Sequence, residues 1–61
     1  MYFKVAFQYS ERVWCTNIAH AETVEAVKAH YEKAYKNVSI RVAQASEVRE
    51  AKRKGMPILD I

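Results

Sequence analysis

The chain has 61 residues, 51% of them hydrophobic and 28% charged, with a formal net charge of +3. A chain of this size buries only about 60% of the surface that its unfolded form exposes, which allows one domain with one modest core. One Gly and one Pro argue against a linker or disordered tract, a single Cys excludes an internal disulfide, and the mild basic excess falls short of a dedicated nucleic-acid binder.

The first segment alternates. Phe3, Val5, Phe7 and Tyr9 share one face, and Tyr2, Lys4, Ala6 and Gln8 share the other, the period of a half-buried strand. Arg12 to Ile18 alternates again, Trp14, Thr16 and Ile18 against Val13, Cys15 and Asn17. Ser10-Glu11 is the turn between them. With Tyr9 opposite Arg12, Phe7 faces Trp14, Val5 faces Thr16 and Phe3 faces Ile18, so the large apolar residues share a face. A slip of one residue would instead turn Val13 and Cys15 to the core.

A helix follows, with Thr23 as N-cap and Glu25 in the first turn, where the helix dipole favours an acid. Val24, Val27, Tyr31, Ala34 and Tyr35 form its apolar stripe, and Asn37 is its stop. Val38, Ile40 and Val42, alternating with Ser39, Arg41 and Ala43, predict a third strand. Ser46 is expected to cap a second helix that runs to about Lys54 and buries Val48 and Ala51. Gly55 and Pro57 end it. Ile58, Leu59 and Ile61 form an apolar tail that either docks or adds a short edge strand.

These elements predict an α+β domain of order ββαβα. A right-handed crossover from the second strand sets the third beside the first, a three-stranded antiparallel sheet of order 2-1-3. Both helices are placed on one face, in two layers. The expected core is Phe3, Val5, Phe7, Trp14, Ile18, Val24, Val27, Tyr31, Val38, Ile40 and Val42. The other sheet face, with Tyr2, Lys4, Gln8, Asn17, Ser39 and Arg41, is left to water or a partner.

Chemistry-bearing patterns are few. There is no Gly-x-Ser-x-Gly, no glycine loop to cradle phosphate and no paired-carboxylate motif, so no catalytic residue is assigned. Cys15, His20 and His30 supply three zinc ligands where a structural site needs four, and the Cys15-x4-His20 spacing fits no common finger. No metal, cofactor or small-molecule substrate is expected. Nucleic acid is the alternative partner, through Lys4 and Arg41 on the sheet and Arg49, Lys52, Arg53 and Lys54 on or near the second helix. Cations in a last helical turn also oppose the negative end of the dipole, and Glu47 and Glu50 dilute the cluster. By elimination the leading expectation is a non-enzymatic protein-interaction or accessory module whose partner is another protein or itself.

The stretch Asn17-Ile-Ala-His-Ala-Glu-Thr-Val-Glu-Ala-Val and the ending Ala51-Lys-Arg-Lys-Gly-Met-Pro-Ile resemble a group of short, uncharacterised bacterial proteins of mobile-element and gut-commensal gene sets. The resemblance covers nearly the whole chain. It implies a stand-alone small domain of the bacterial cytoplasm and brings no activity with it. A cytoplasmic location also suits the lone thiol of Cys15 and an opening, Met1-Tyr-Phe-Lys-Val-Ala-Phe, without the basic and apolar regions of a signal peptide. Apolar runs fall far short of the ~20 residues of a membrane helix, so no membrane partner is expected.

Overall fold

A computed structural model describes all residues, Met1 to Ile61. The alternating opening forms β1 (Tyr2–Ser10) and β2 (Val13–His20), joined by Glu11 and Arg12. Helix α1 (Val24–Glu32) and strand β3 (Lys36–Val42) follow. Helix α2 (Ala45–Arg53) then leads to β4 (Ile58–Asp60). The α+β class holds, but the sheet is four-stranded and mixed, of order β3-β1-β2-β4. The predicted 2-1-3 core lies within it, and the apolar tail adds β4, parallel to β2.

The hairpin register differs from the predicted one by one residue. Phe7 lies opposite Cys15, Val5 opposite Asn17 and Phe3 opposite Ala19. The turn falls on Glu11-Arg12, and Tyr9 is an extra residue on β1, because Gln8 pairs with Trp14 while Ser10 pairs with Val13. A bulge of this kind cannot be seen in the alternation itself. Its effect is large, because a slip of one residue turns every side chain of β2 over. Phe7 is 3% exposed on one face, and Trp14 is 59% exposed on the other.

The first face carries the main core. Phe3, Val5, Phe7 and Ala19, with Ala21 beyond the strand end, pack on Val27 and Tyr31 of α1. Tyr31 and Tyr35 lie 5.3 and 4.3 Å from the Phe7 ring centroid. Asn17 turns to this face as well, and its amide donates to the Tyr31 hydroxyl at 3.3 Å. Three residues expected in the core are instead exposed: Trp14, Val24 (40%) and Val42 (56%). Val24 sits in the first turn of α1, and Val42 is the last residue of an edge strand.

The helices are on opposite faces, not on one. Val48 and Ala51 of α2 pack on Ile18, flanked by Tyr2, Ala43 and Ile58, and alternation along β1 and β2 puts Tyr2 and Ile18 opposite Phe3 and Ala19. The fourth strand explains this. The β2-to-β3 and β3-to-β4 crossovers travel across the sheet in opposite directions, and crossovers of one hand that do so carry their helices over opposite faces. Without β4 as a strand, the second crossover does not exist and the face of α2 is not fixed.

The helix ends show how local chemistry sets boundaries. Thr23 caps α1 as expected, its hydroxyl accepting from the Ala26 N–H at 3.2 Å. That helix stops at Glu32, short of the predicted end, because Lys36 pairs with Gln8 and is drawn into β3. Asn37 does adopt a left-handed φ of 55°, but within a bulge of β3 opposite Phe7. Its amide donates to the Gln8 side chain at 2.6 Å. The N-cap of α2 is Gln44 rather than Ser46; its N–H donates to Glu47 at 3.1 Å. Gly55, at φ 70°, closes α2: its N–H reaches the Lys52 carbonyl and the Met56 N–H reaches the Ala51 carbonyl, the paired bonds of a Schellman ending.

Candidate functional site

Two features are candidates, one on the α2 side of the sheet and one at its edge. The first is a charged cluster where α2 crosses β1 and β3. Lys4 and Arg41 are cross-strand partners, so both side chains point at the start of α2. Glu47 lies between them. It accepts two parallel bonds of 2.8 Å from the Arg41 guanidinium and a 3.0 Å contact from Lys4 Nζ, besides the Gln44 N–H. The Arg41 bond, then the Gln44 N–H, then Lys4 hold its carboxyl far below the usual carboxylate range. The same bond raises Arg41. One turn on, Glu50 pairs with Arg53 and with Lys54, which lower its carboxyl.

The structure thus brings most of the predicted nucleic-acid residues together around α2, but each of four is matched to an acid: Lys4 and Arg41 to Glu47, Arg53 and Lys54 to Glu50. Lys52 sits over the Tyr2 ring at 5.6 Å, and Arg49 is exposed with no ion-pair partner. A cleft of about 430 Å³ opens beside this cluster, lined by Lys4, Thr16, Ile18, Glu47, Glu50 and Lys54 among others. Its two carboxylates are both held ionised by cations. Neither has the raised pKa by which a general acid is recognised.

The remaining titratable groups are dispersed. Cys15 and His20 point to opposite faces of β2, and His30 lies on α1 against Tyr31. No three His, Cys, Asp or Glu side chains gather into a group that could hold a metal ion. His20 is taken up locally, with Nδ1 3.2 Å from Asp60 and its ring 4.7 Å from Tyr2. No helix is long and apolar enough to cross a membrane.

The second feature is the outer edge of β2. The β4 strand pairs only with Ile18, Ala19 and His20, so residues 13–17 have no neighbour on that side. Their backbone directions follow from two bonds. The Ala21 N–H bonds to Met1 beside β1, whereas the His20 carbonyl accepts from Ile61 on the outer side. Successive residues of a strand point their backbone groups to opposite sides. The N–H and C=O of Trp14 and Thr16 therefore face outward, unpaired. Trp14 and Val13 flank them as exposed apolar side chains on the two faces.

This edge lacks the devices that guard sheet edges. Residues 13–17 (Val-Trp-Cys-Thr-Asn) hold no Pro, no Lys and no charge, and the outer bulge of the hairpin lies on β1. The other edge of the sheet, β3, carries Lys36, Arg41 and the Asn37 bulge. Sequence reading missed the β2 edge because its extent depends on where β4 begins. The signal that could have found it is the uncharged, β-prone run itself, together with Gly55 and Pro57, which delay the start of the last strand until it lies beside Ile18.

Comparisons with known proteins add no relative: no family model, no curated protein and no solved structure matches the chain.

Proposed function

We propose that this chain is a protein-interaction module that works by binding and not by catalysis, and that it takes an extended protein segment along the open edge of β2. The observation that carries this reading is the unguarded edge over residues 13–17 beside exposed Trp14. An added strand would gain backbone hydrogen bonds to Trp14 and Thr16, and the side chains alternating on its two faces would meet Val13 and Trp14. Trp is a frequent anchor in such contacts. The rival surface, the cations around α2, is weakened by its pairing with Glu47 and Glu50, which leaves little free positive field to attract phosphate.

The test is capture from an extract of the native host, with and without nuclease. Thr16→Pro removes one outward N–H while leaving the inward ladder to β1 intact, as Pro on an edge strand can. Capture of a protein that resists nuclease, is lost in Thr16→Pro and survives replacement of Lys52, Arg53 and Lys54 by Gln supports the reading. Capture that vanishes with nuclease and with the cation replacement contradicts it and favours nucleic acid.

A further inference from the structure

We infer that the extended segment that fits this edge is the same edge of a second copy, so that two chains join their sheets about a two-fold axis at Cys15. The inference rests on the reading of the β2 edge given above and names its partner.

Self-pairing of an antiparallel edge about a two-fold axis must match outward groups with outward groups. Only Trp14 and Thr16 are both open and outward. Centring the axis on Trp14 sets Thr16 against Arg12, which lies in the turn. Centring it on Thr16 sets Trp14 against Ile18, whose edge β4 already occupies. Centring it on Cys15 sets Trp14 against Thr16 of the other copy, and Thr16 against Trp14. All the free N–H and C=O groups of both residues then pair, and Val13 meets Asn17. This is the register in which both outward residues of each copy pair within residues 13–17; the paired segment ends where Val13 meets Asn17, since Arg12 turns away there and β4 takes the edge from Ile18 onward.

No charge within residues 13–17 opposes the pairing.

The axis has a direct chemical test. Cys15 points its backbone inward, so Cys15 against Cys15 would be a non-hydrogen-bonded pair with Cα atoms ~4.5 Å apart, within disulfide reach. A cysteine at position 16 would face position 14 of the other copy, and its own counterpart would lie diagonally, ~7–8 Å away and at or beyond that reach. Yet Thr16 is exposed and Cys15 only half so, so random collision would favour position 16.

The experiment treats the intact chain, and the Cys15→Ser, Thr16→Cys variant, with diamide, and follows the monomer–dimer equilibrium of the untreated chain by sedimentation. The inference expects a concentration-dependent dimer and a Cys15 disulfide that forms at least ~10-fold faster than the one at position 16. It expects Thr16→Pro and Thr16→Lys, each checked for fold by circular dichroism, to be monomeric. A chain that stays monomeric at every concentration, or that cross-links faster through position 16, overturns the dimer. If that monomer still captures a host protein through Thr16, the interaction-module reading survives; if capture is absent or nuclease-sensitive, both fall.

Discussion

Replacing Phe7 and Trp14 in turn tests the core and the hairpin register. Phe7 is 3% exposed, lies opposite Cys15 and packs on the rings of Tyr31 and Tyr35. Truncating a core Phe to Ala costs about 3–5 kcal/mol through lost transfer energy and the cavity left behind. A chain of 61 residues has only about 3–9 kcal/mol in total. Phe7→Ala should therefore remove most of the stability or unfold the chain. Phe7→Leu keeps much of the volume and should cost about 1–1.5 kcal/mol. At this size each kcal/mol lowers Tm by roughly 4–8 °C. Trp14→Ala, on the opposite face and 59% exposed, should stay within about 0.5 kcal/mol in dilute protein. The assay is thermal and urea unfolding followed by circular dichroism. If Trp14→Ala costs as much as Phe7→Leu, the register is wrong; if Phe7→Ala loses under about 1 kcal/mol, Phe7 does not belong to the core.

Glu47→Gln should lower Tm at neutral pH, because it breaks the bonds to Arg41, Lys4 and the Gln44 N–H at once. The folded pKa of Glu47 is depressed, so its contribution is full above the usual value of 4.5 and is lost as pH falls below it. The Tm difference from wild type should shrink on acidification, and a difference that grows would contradict the assignment. Ile58→Ala should cost about 1–2 kcal/mol, less than a fully buried Ile, because Ile58 is half-buried on Ile18; urea unfolding reads it. Replacing Cys15, His20 and His30 together should leave the Tm equally insensitive to chelator, and stoichiometric zinc in purified wild type, lost in the variant, would refute this. In titrations of labelled oligonucleotides at ~150 mM salt, binding should be weak and little changed when Lys52, Arg53 and Lys54 become Gln; micromolar affinity abolished by that change would reverse the ranking of partners.

Much of this fold is legible in the residues, and the failures have identifiable physical causes. Thr23 and Gly55 act as the punctuation that they signal, and the alternation of Phe3, Val5 and Phe7 marks the buried face of β1 correctly. The second strand is ambiguous because both of its faces are partly apolar, Trp14 and Ile18 against Val13 and Cys15. The hydrophobic pattern then cannot choose the register, and the Tyr9 bulge chooses it. Ala19 and Ala21 are fully packed, but small side chains carry too little hydrophobic signal to be picked as core. The face of α2 follows from β4, a strand of only three residues whose pairing is set by the whole sheet. The basic residues of the candidate site are visible in the sequence. Their pairing with Glu47 is not, because Lys4 and Arg41 reach that carboxylate from two different strands.

The β2 edge must be open in the free chain and closed by a partner strand. Amide hydrogen exchange resolved by residue measures this. In dilute protein the Trp14 and Thr16 amides should exchange rapidly, while those of Val13 and Cys15, turned toward β1, stay protected. Raising the concentration should slow Trp14 and Thr16 and leave other exposed amides unchanged. Protection of Trp14 and Thr16 already present at high dilution would contradict the account, because the edge would then be covered within a single chain.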